Sequence, residues 1–458
     1  MISAEPSSTC RSGGSSRHLK RASSISTIEA FQESVEHGEI SLNDCPGKAD
    51  AVVIGGGIVG TATAWNLAKR GKRVILYEKG SVAGEQSGRN WGSIRSQRRP
   101  PEELPLMLEG IRIWETLETQ LEATLDWRQQ GHMRFCYDRK LLEWAEEWIP
   151  VGRENGLDTR VLTPGECRKL LPHYSAKGLL GALYTSTDGC AEPQKVAPAF
   201  AQSARRLSAE IVEQCAVLEI LTENGSASGV VTERGETRAD VVICAGGAWT
   251  GRLLKQLGIR HPSLWIRGSA ARTAPVGIDM RKLVTWGRCA CRQRPDGSLT
   301  LAVAEHGCHD VMLDSLRYGA SYMKLAWNNR NLLRFSLGRP FFDDLSGRFA
   351  NIERADNRSL DPVPDRAALE RAAKAYAIEY PSAKPLVLTR TWAGWIDYMP
   401  DALPVLGEAP GIPGLFIGAG FSGNGFGMGP VSGKVLADLI CNGRSEHDLR
   451  ALNPSRFN

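Results

Sequence analysis

The chain has 458 residues, long enough to bury a sizeable core and to divide into two domains. Hydrophobic residues make up 42% and charged residues 23%, and no apolar run reaches the roughly eighteen residues of a spanning helix, so a transmembrane segment is excluded while a peripheral membrane contact stays open. A net charge of +5 over this length, without a basic stripe interleaved with aromatics, argues against a nucleic-acid partner.

Residues 1–47 differ from the rest. They are serine-rich, with Arg11, Arg17, Lys20 and Arg21 near the start against Glu5. They lack the apolar core of a secretory signal, and the acidic stretch Glu29 to Glu39 is foreign to an organelle transit peptide. The segment reads as a disordered extension, or as the product of an upstream start codon, ahead of a domain that begins near Lys48. Eleven cysteines scattered without a framework point to reduced thiols and a cytoplasmic setting, with peripheral placement at the inner membrane as the alternative.

From Ala51 to Glu78 the order is strand, glycine turn, helix, strand, acid. Val52, Val53 and Ile54 form the short apolar run of a parallel strand buried on both faces. Gly55, Gly57 and Gly60 stand in GxGxxG register: the first permits the tight turn, the second clears room for a pyrophosphate, and the third lets the helix press on the strand. The helix then offers free N–H groups and its positive dipole end to the phosphates, and Lys69, Arg70 and Gly71 supply a basic ending and a glycine stop. Glu78 ends the next strand, Arg73 to Tyr77, where a carboxylate can accept from ribose hydroxyls. The dinucleotide is NAD or FAD at this point.

The loop Gly84 to Arg99 is arginine-rich, and a guanidinium fork suits a carboxylate, although Arg95 to Arg99 alone also reads as a solvated basic run. After a strand-like Ile211 to Leu221 and a hairpin near Glu233, Asp240 to Trp249 reads as a second buried strand ending in paired glycines. Cys289, Cys291, Cys308, His306 and His309 match no standard metal spacing, so no metal site is expected. Asp361 to Pro364 and Ala367 to Glu379 read as a loop and a helix, and Asp397 and Asp401 flank Pro400 in a turn. Tyr174, Tyr184, His306, His309, Trp395 and Tyr398 are candidates to face a substrate, each set against an ordinary core or surface role. Finally Gly414 to Gly420 reads as a strand, Phe421 to Pro430 as a backbone-exposing loop, and the residues to Ile440 as a helix with Pro430 in its first turn. A strand, an exposed loop and a helix N-terminus together can stabilise negative charge, such as the N1–C2=O edge of a flavin.

With GGGIVG, CAGGAWT and GLFIGAGFSGNGFGMGP in place, residues 48 to 450 resemble the FAD-dependent amine and amino-acid oxidoreductases, the group of D-amino-acid oxidases and dehydrogenases, glycine oxidase and sarcosine oxidase. The resemblance implies an α/β (α+β) fold: a Rossmann-like FAD domain from 48–130, 185–262 and 388–445, and a mixed-sheet substrate domain from 131–184 and 263–387. It implies FAD contacts from Gly55, Gly57, Ile58, Val59, Gly60, Glu78, Lys79, Ala245, Gly246, Gly420, Phe421, Ser422, Gly423, Asn424, Gly425 and Phe426. The implied reaction is hydride transfer from the carbon bearing an amine to flavin N5, followed by hydrolysis of the imine. Arg95 and Arg98 occupy the positions of two loop arginines that lie by the flavin and the substrate carboxylate in sarcosine-oxidase-like members.

The departures are as informative. Asn424 stands where the family has a histidine, and Gly427 where it has a lysine that helps hold a carboxylate. The position of the covalent flavin cysteine of some relatives falls near Gly394, which implies non-covalent FAD. Trp286 to Met323 contains no lysine to promote oxygen reduction, which favours a dehydrogenase over an oxidase. The substrate is then an amino acid or secondary amine of D-amino-acid, N-methyl or opine type. The electron acceptor is unassigned, and a hetero-oligomeric dehydrogenase is one form the enzyme takes. The alternatives are a flavin monooxygenase, which needs NAD(P)H, a flavin-bearing electron-transfer subunit, and a flavoprotein acting on tRNA, which the slight charge disfavours.

Overall fold

The computed structural model describes residues 47–457 apart from 288, 304–306, 329, 331–332 and 351–356; the expected extension up to residue 46 and His306 lie outside them. In a first sheet of eight strands, Lys48–Ile54 runs parallel between Val74–Tyr77 and Gly235–Cys244, with Ile54 in register with both Tyr77 and Cys244. Leu415–Ala419 and Glu210–Val212 extend the parallel set on either side, and Val405–Glu408 closes one edge antiparallel. Val52, Val53 and Leu76 are fully buried, as side chains covered on both faces must be. The expected strand Ile211 to Leu221 is in fact two, Glu210–Val212 and Val217–Glu223, parted where Gln214 takes a left-handed φ of 55°. The strand expected to reach Trp249 stops at Cys244, and Gly247–Trp249 is a short 3-10 turn that leads into a helix.

The helix Ile58–Ala68 is buried on nearly every side. Its two interior threonines are satisfied within it, Thr61 Oγ1 donating to Gly57 O at 2.9 Å and Thr63 Oγ1 to Val59 O at 2.7 Å. The C-terminal helix Gly425–Asn442 lies against it so closely that a Cβ on Gly429 would sit 2.6 Å from Ile58 Cγ2, and one on Gly433 2.6 Å from Ala62 Cβ. This helix begins at Gly425, five residues before the proline that the sequence places in its first turn. Glycine is a poor helix former, so close packing on Ile58–Ala68 decides what local preference conceals.

The second sheet is mixed and has ten strands. Its longest strand, Leu388–Tyr398, was grouped by sequence with the nucleotide-binding half but pairs along its length with Leu264–Thr273 in this sheet. One row of the second sheet is continuous in register: Arg134 opposite Thr285, Thr285 opposite Ala290, Ala290 opposite Ala302, and Ala302 opposite Ala270. Side chains in one row point to one face, so two polar residues and three alanines form a strip across five strands. Cys289 and Cys291, weighed above as metal ligands, are buried with Tyr376 and Tyr380 in the apolar core on this sheet.

Candidate active site

A cavity of about 690 Å³ is lined by residues of both sheets and of the turns that leave the first one. Part of its wall is made by Gly55, Gly57, Ile58, Val59, Glu78, Lys79, Ala245 and Gly246. Gly55 has φ 106°, and a Cβ there would lie 2.5 Å from Ala245 O, so no other residue fits the turn. Gly60 is behind the wall, where a Cβ would meet Gly55 O at 2.0 Å; it serves the close approach of helix to strand. Glu78 accepts from Gly56 N at 2.6 Å and from Gly80 N at 2.8 Å. Burial pushes its carboxyl up, and those two amides hold it down. The Lys79 ammonium turns to Glu85, at 2.5 Å, and to the carbonyls of Asn357 and Arg358 at 2.8 and 3.0 Å. Ser87, which the sequence did not single out, also lines the cavity and accepts from Ile58 N at 2.9 Å at the helix start.

Phe421, Ser422, Gly423, Asn424, Gly425 and Phe426 also line the cavity. Gly420 does not reach it: its amide donates to Asp397 Oδ2 at 2.6 Å, and a Cβ there would lie 2.7 Å from Met399 Sδ. Ser422 Oγ accepts from Met399 N at 3.0 Å, so the strand Leu388–Tyr398 and its continuation hold the start of this loop at two points. Asp397 therefore does more than shape a turn. Burial pushes its carboxyl up to about 6, against the pull of the Gly420 amide. Asp401, by contrast, pairs at the surface with Arg456 at 2.8 Å.

Arg95, Arg98, Arg99, Arg134, His132, Thr285 and Tyr398 form a further part of the wall, with the arginines close enough to act on one another. Arg95 is partly buried, and its Nη1 donates to Gln97 O at 2.9 Å. Burial, then the neighbouring Arg99 and Arg98, bring its guanidinium down to about 9. Arg134 is brought to about 9 as well, by burial and by Arg98 and Arg95. Arg98 is exposed at the rim with a left-handed φ of 59°, its guanidinium 4.6 Å from the centre of the Trp144 ring. Arg99 is buried beside Glu103 at 3.6 Å, and Glu103 in turn accepts from Asn424 Nδ2 at 3.2 Å. The arginine loop and the glycine-rich loop are thus tied together through one buried carboxylate.

Of the remaining sequence candidates, Tyr398 and His309 line the cavity. Both His309 ring nitrogens are engaged, with Trp265 O and with Ser315 Oγ at 2.9 Å each. Tyr174 is in the apolar core, stacked on Phe135 at 4.2 Å, Tyr184 is half-buried away from the cavity wall, and Trp395 Nε1 donates to Asp310 Oδ2 at 2.9 Å.

A family model described as FAD dependent oxidoreductase matches residues 50–439. The chain belongs to this family. It is 25% identical over 435 residues to the mitochondrial sarcosine dehydrogenase of Homo sapiens, a match covering 90% of this chain and 42% of that protein, so the chain spans less than half the length of that relative. It is 25% identical over 404 residues to the glycine oxidase of Bacillus subtilis (strain 168), covering 87% of this chain and 95% of that one. Among solved structures, the L-amino acid deaminase of Proteus myxofaciens in complex with anthranilate has a TM-score of 0.84 at 29% identity, covering 90% of this chain and 94% of that one.

The cofactor of the family is FAD, and the residues present fit it. A Cβ on Gly57 would meet only Ser87 Oγ, at 3.1 Å, so this glycine is not required by the protein's own packing but keeps the helix start open to the cavity. A carboxylate stands at the end of the second parallel strand, and the wall of backbone between Phe421 and Phe426 adjoins a helix N-terminus. His132, Arg134 and Thr285 were missed by sequence reasoning. The lone arginine between Met133 and Phe135 in an apolar strand was the one available signal, since a charge in such a run calls for a partner or a ligand.

Proposed function

We propose that this protein oxidises the C–N bond of an amino acid or N-methyl amino acid, with Arg95 and Arg98 binding the substrate carboxylate. The observation that carries this reading is the position of both arginines on the wall of the same cavity as the glycine turn and the loop 421–426. The names of the relatives, sarcosine dehydrogenase, glycine oxidase and L-amino acid deaminase, support the substrate class. Gly55, Gly57, Ile58, Val59, Glu78, Ala245 and Gly246 would hold the ADP part of FAD, and Phe421 to Phe426 the flavin part. When bound, FAD supplies the acceptor for the electrons and hydrogen removed from the substrate carbon.

The chain's own contribution is position and charge. Arg95 carries positive charge in a partly buried setting that neighbouring guanidinium groups make costly, so an arriving carboxylate relieves repulsion as well as forming hydrogen bonds. Fixing the carboxylate at these guanidinium groups orients the substrate carbon within the cavity that the loop 421–426 also lines. Ala270, Ala290 and Ala302 present an apolar strip there, which keeps water from the reacting centre. Among the described residues lining the cavity, Lys79 is the one lysine, and it is bound to Glu85, which supports a dehydrogenase that passes electrons to an acceptor other than oxygen.

Anaerobic mixing of the holoenzyme with a panel of D-, L- and N-methyl amino acids, without NAD(P)H, tests the reading. Loss of the oxidised flavin absorbance with at least one of them is expected, whereas bleaching by NAD(P)H alone would reassign the protein as a monooxygenase. Turnover with an artificial dye acceptor is expected to exceed turnover with oxygen at least about tenfold, a difference of about 1.4 kcal/mol in barrier; equal rates would make it an oxidase.

A further inference from the structure

Behind the arginine loop lies a buried polar chain that the carboxylate assignment does not use. His132 is 1% exposed, and its Nε2 is 2.9 Å from Thr285 Oγ1. On the other side of the ring, Nδ1 faces Asp188 Oδ2 at 3.8 Å, an electrostatic approach beyond hydrogen-bond length, and neither of these two buried atoms has a hydrogen-bond partner among the described residues. The second carboxylate oxygen, Asp188 Oδ1, is fixed by Ser96 N at 2.7 Å and Ser96 Oγ at 2.6 Å, within the arginine loop itself. Gln97 of the same loop donates to His132 O at 2.9 Å.

This arrangement sets the direction of one proton. A neutral imidazole carries one N–H, and the carboxylate facing Nδ1 draws it there. Nε2 is then an acceptor, so the Thr285 hydroxyl must donate to it. Both lone pairs of Thr285 Oγ1 are left for the cavity, where the same row of the sheet offers the guanidinium of Arg134 on one side and the methyl of Ala290 on the other. Burial and the neighbouring Arg95 and Arg134 hold the His132 imidazole well below its ordinary range, which keeps the ring neutral and the arrangement fixed at neutral pH. In a wall rich in guanidinium donors, Thr285 is a fixed acceptor.

We propose that Thr285 accepts a hydrogen bond from the N–H of the substrate's amine, and that His132 and Asp188 are positioning residues that fix the direction of its hydroxyl. This rests on the amino-acid reading above and deepens it: Arg95 and Arg98 take the carboxylate, Thr285 reads the N–H, and the pair discriminates an amino acid from the acid of the same skeleton that lacks the amine.

The test uses the holoenzyme, the member of the amino-acid panel that it oxidises fastest, and the des-amino carboxylic acid of the same skeleton as a non-reacting probe, whose binding is read from the perturbation of the flavin spectrum. Thr285→Val is expected to raise KM for the amino acid about tenfold, as loss of a hydrogen bond to a charged group does, while the Kd of the des-amino acid stays within twofold. Thr285→Ser is expected to restore the wild-type KM, and His132→Asn to show the same split as Thr285→Val. Equal weakening of both probes in Thr285→Val, or no change in either, overturns the proposal. The underlying reading fails separately, if no amino acid bleaches the wild-type flavin. If Thr285→Val does not fold, Thr285→Ala with the same two probes gives the same discrimination.

Discussion

At the glycine turn the constraint is backbone: a Cβ on Gly55, in the cavity wall, would lie 2.5 Å from Ala245 O, and one on Gly60, behind it, 2.0 Å from Gly55 O. At the arginine loop the wall is charge: Arg95, Arg98, Arg99 and Arg134 share one part of the cavity wall, and burial with mutual repulsion lowers Arg95 and Arg134 to about 9. The first region selects by shape and, at Gly55 and Gly60, tolerates no added atom. The second holds an unfavourable concentration of like charge that a ligand can relieve. A cofactor that stays bound through many cycles is served by the former, and a substrate that must enter and leave by the latter.

The largest effect should come from breaking shape. Gly60→Ala forces a methyl into a backbone carbonyl and is expected to cost about 3 kcal/mol and to abolish FAD retention, checked by thermal midpoint and by flavin per chain after purification. A variant that kept both its midpoint and its flavin would show that the helix can shift away from the strand.

Next is the removal of charge. Arg95→Met should leave FAD content unchanged and lower kcat/KM about a hundredfold, and Arg95→Lys should not recover it, because one ammonium cannot reproduce a bidentate fork. Recovery by lysine would make the site a general positive field instead of a geometric clamp.

The smallest effect concerns Asp397, which holds the Gly420 amide at the start of the loop 421–426. Its carboxyl is raised to about 6 by burial. Below about pH 4 the group is protonated in both folded and unfolded chains and carries no ionisation cost. As pH rises from about 4 to about 6 the unfolded chain ionises first, so this residue's contribution to stability falls, and the full penalty stands above about pH 6. Asp397→Asn keeps an acceptor for Gly420 without that penalty. Its stability relative to wild type should therefore increase by on the order of 2 kcal/mol between pH 4 and pH 6 and stay level above, as urea midpoints would show. A difference that does not vary with pH would mean that Asp397 is not desolvated in the folded state.

The same contrast explains what the sequence revealed. The glycine turn is local: three glycines, an apolar strand and Glu78 fall within one short stretch, and each spacing has a single steric meaning. The helix start at Gly425 was hidden because Gly425, Gly427 and Gly429 argue against a helix until Ile58 and Ala62 are seen packed on it. Leu388–Tyr398, grouped by sequence with the FAD domain, pairs in the second sheet because a strand's partner is a matter of topology, while Asp397 and the following Met399 bond Gly420 and Ser422. Arg134, His132 and Thr285 come together through the register of strands far apart in sequence, which no spacing along the chain encodes.

The central claim, that a carboxylate-bearing amine is held by Arg95 over the same cavity as the cofactor, is tested most directly by anaerobic flavin bleaching in wild type and Arg95→Met side by side, with the amino-acid panel and without NAD(P)H. Bleaching of the wild-type protein by an amino acid, and an amino-acid concentration for half-maximal bleaching raised about a hundredfold in the variant at equal FAD content, is the expected result. Identical bleaching curves for the two proteins would contradict it.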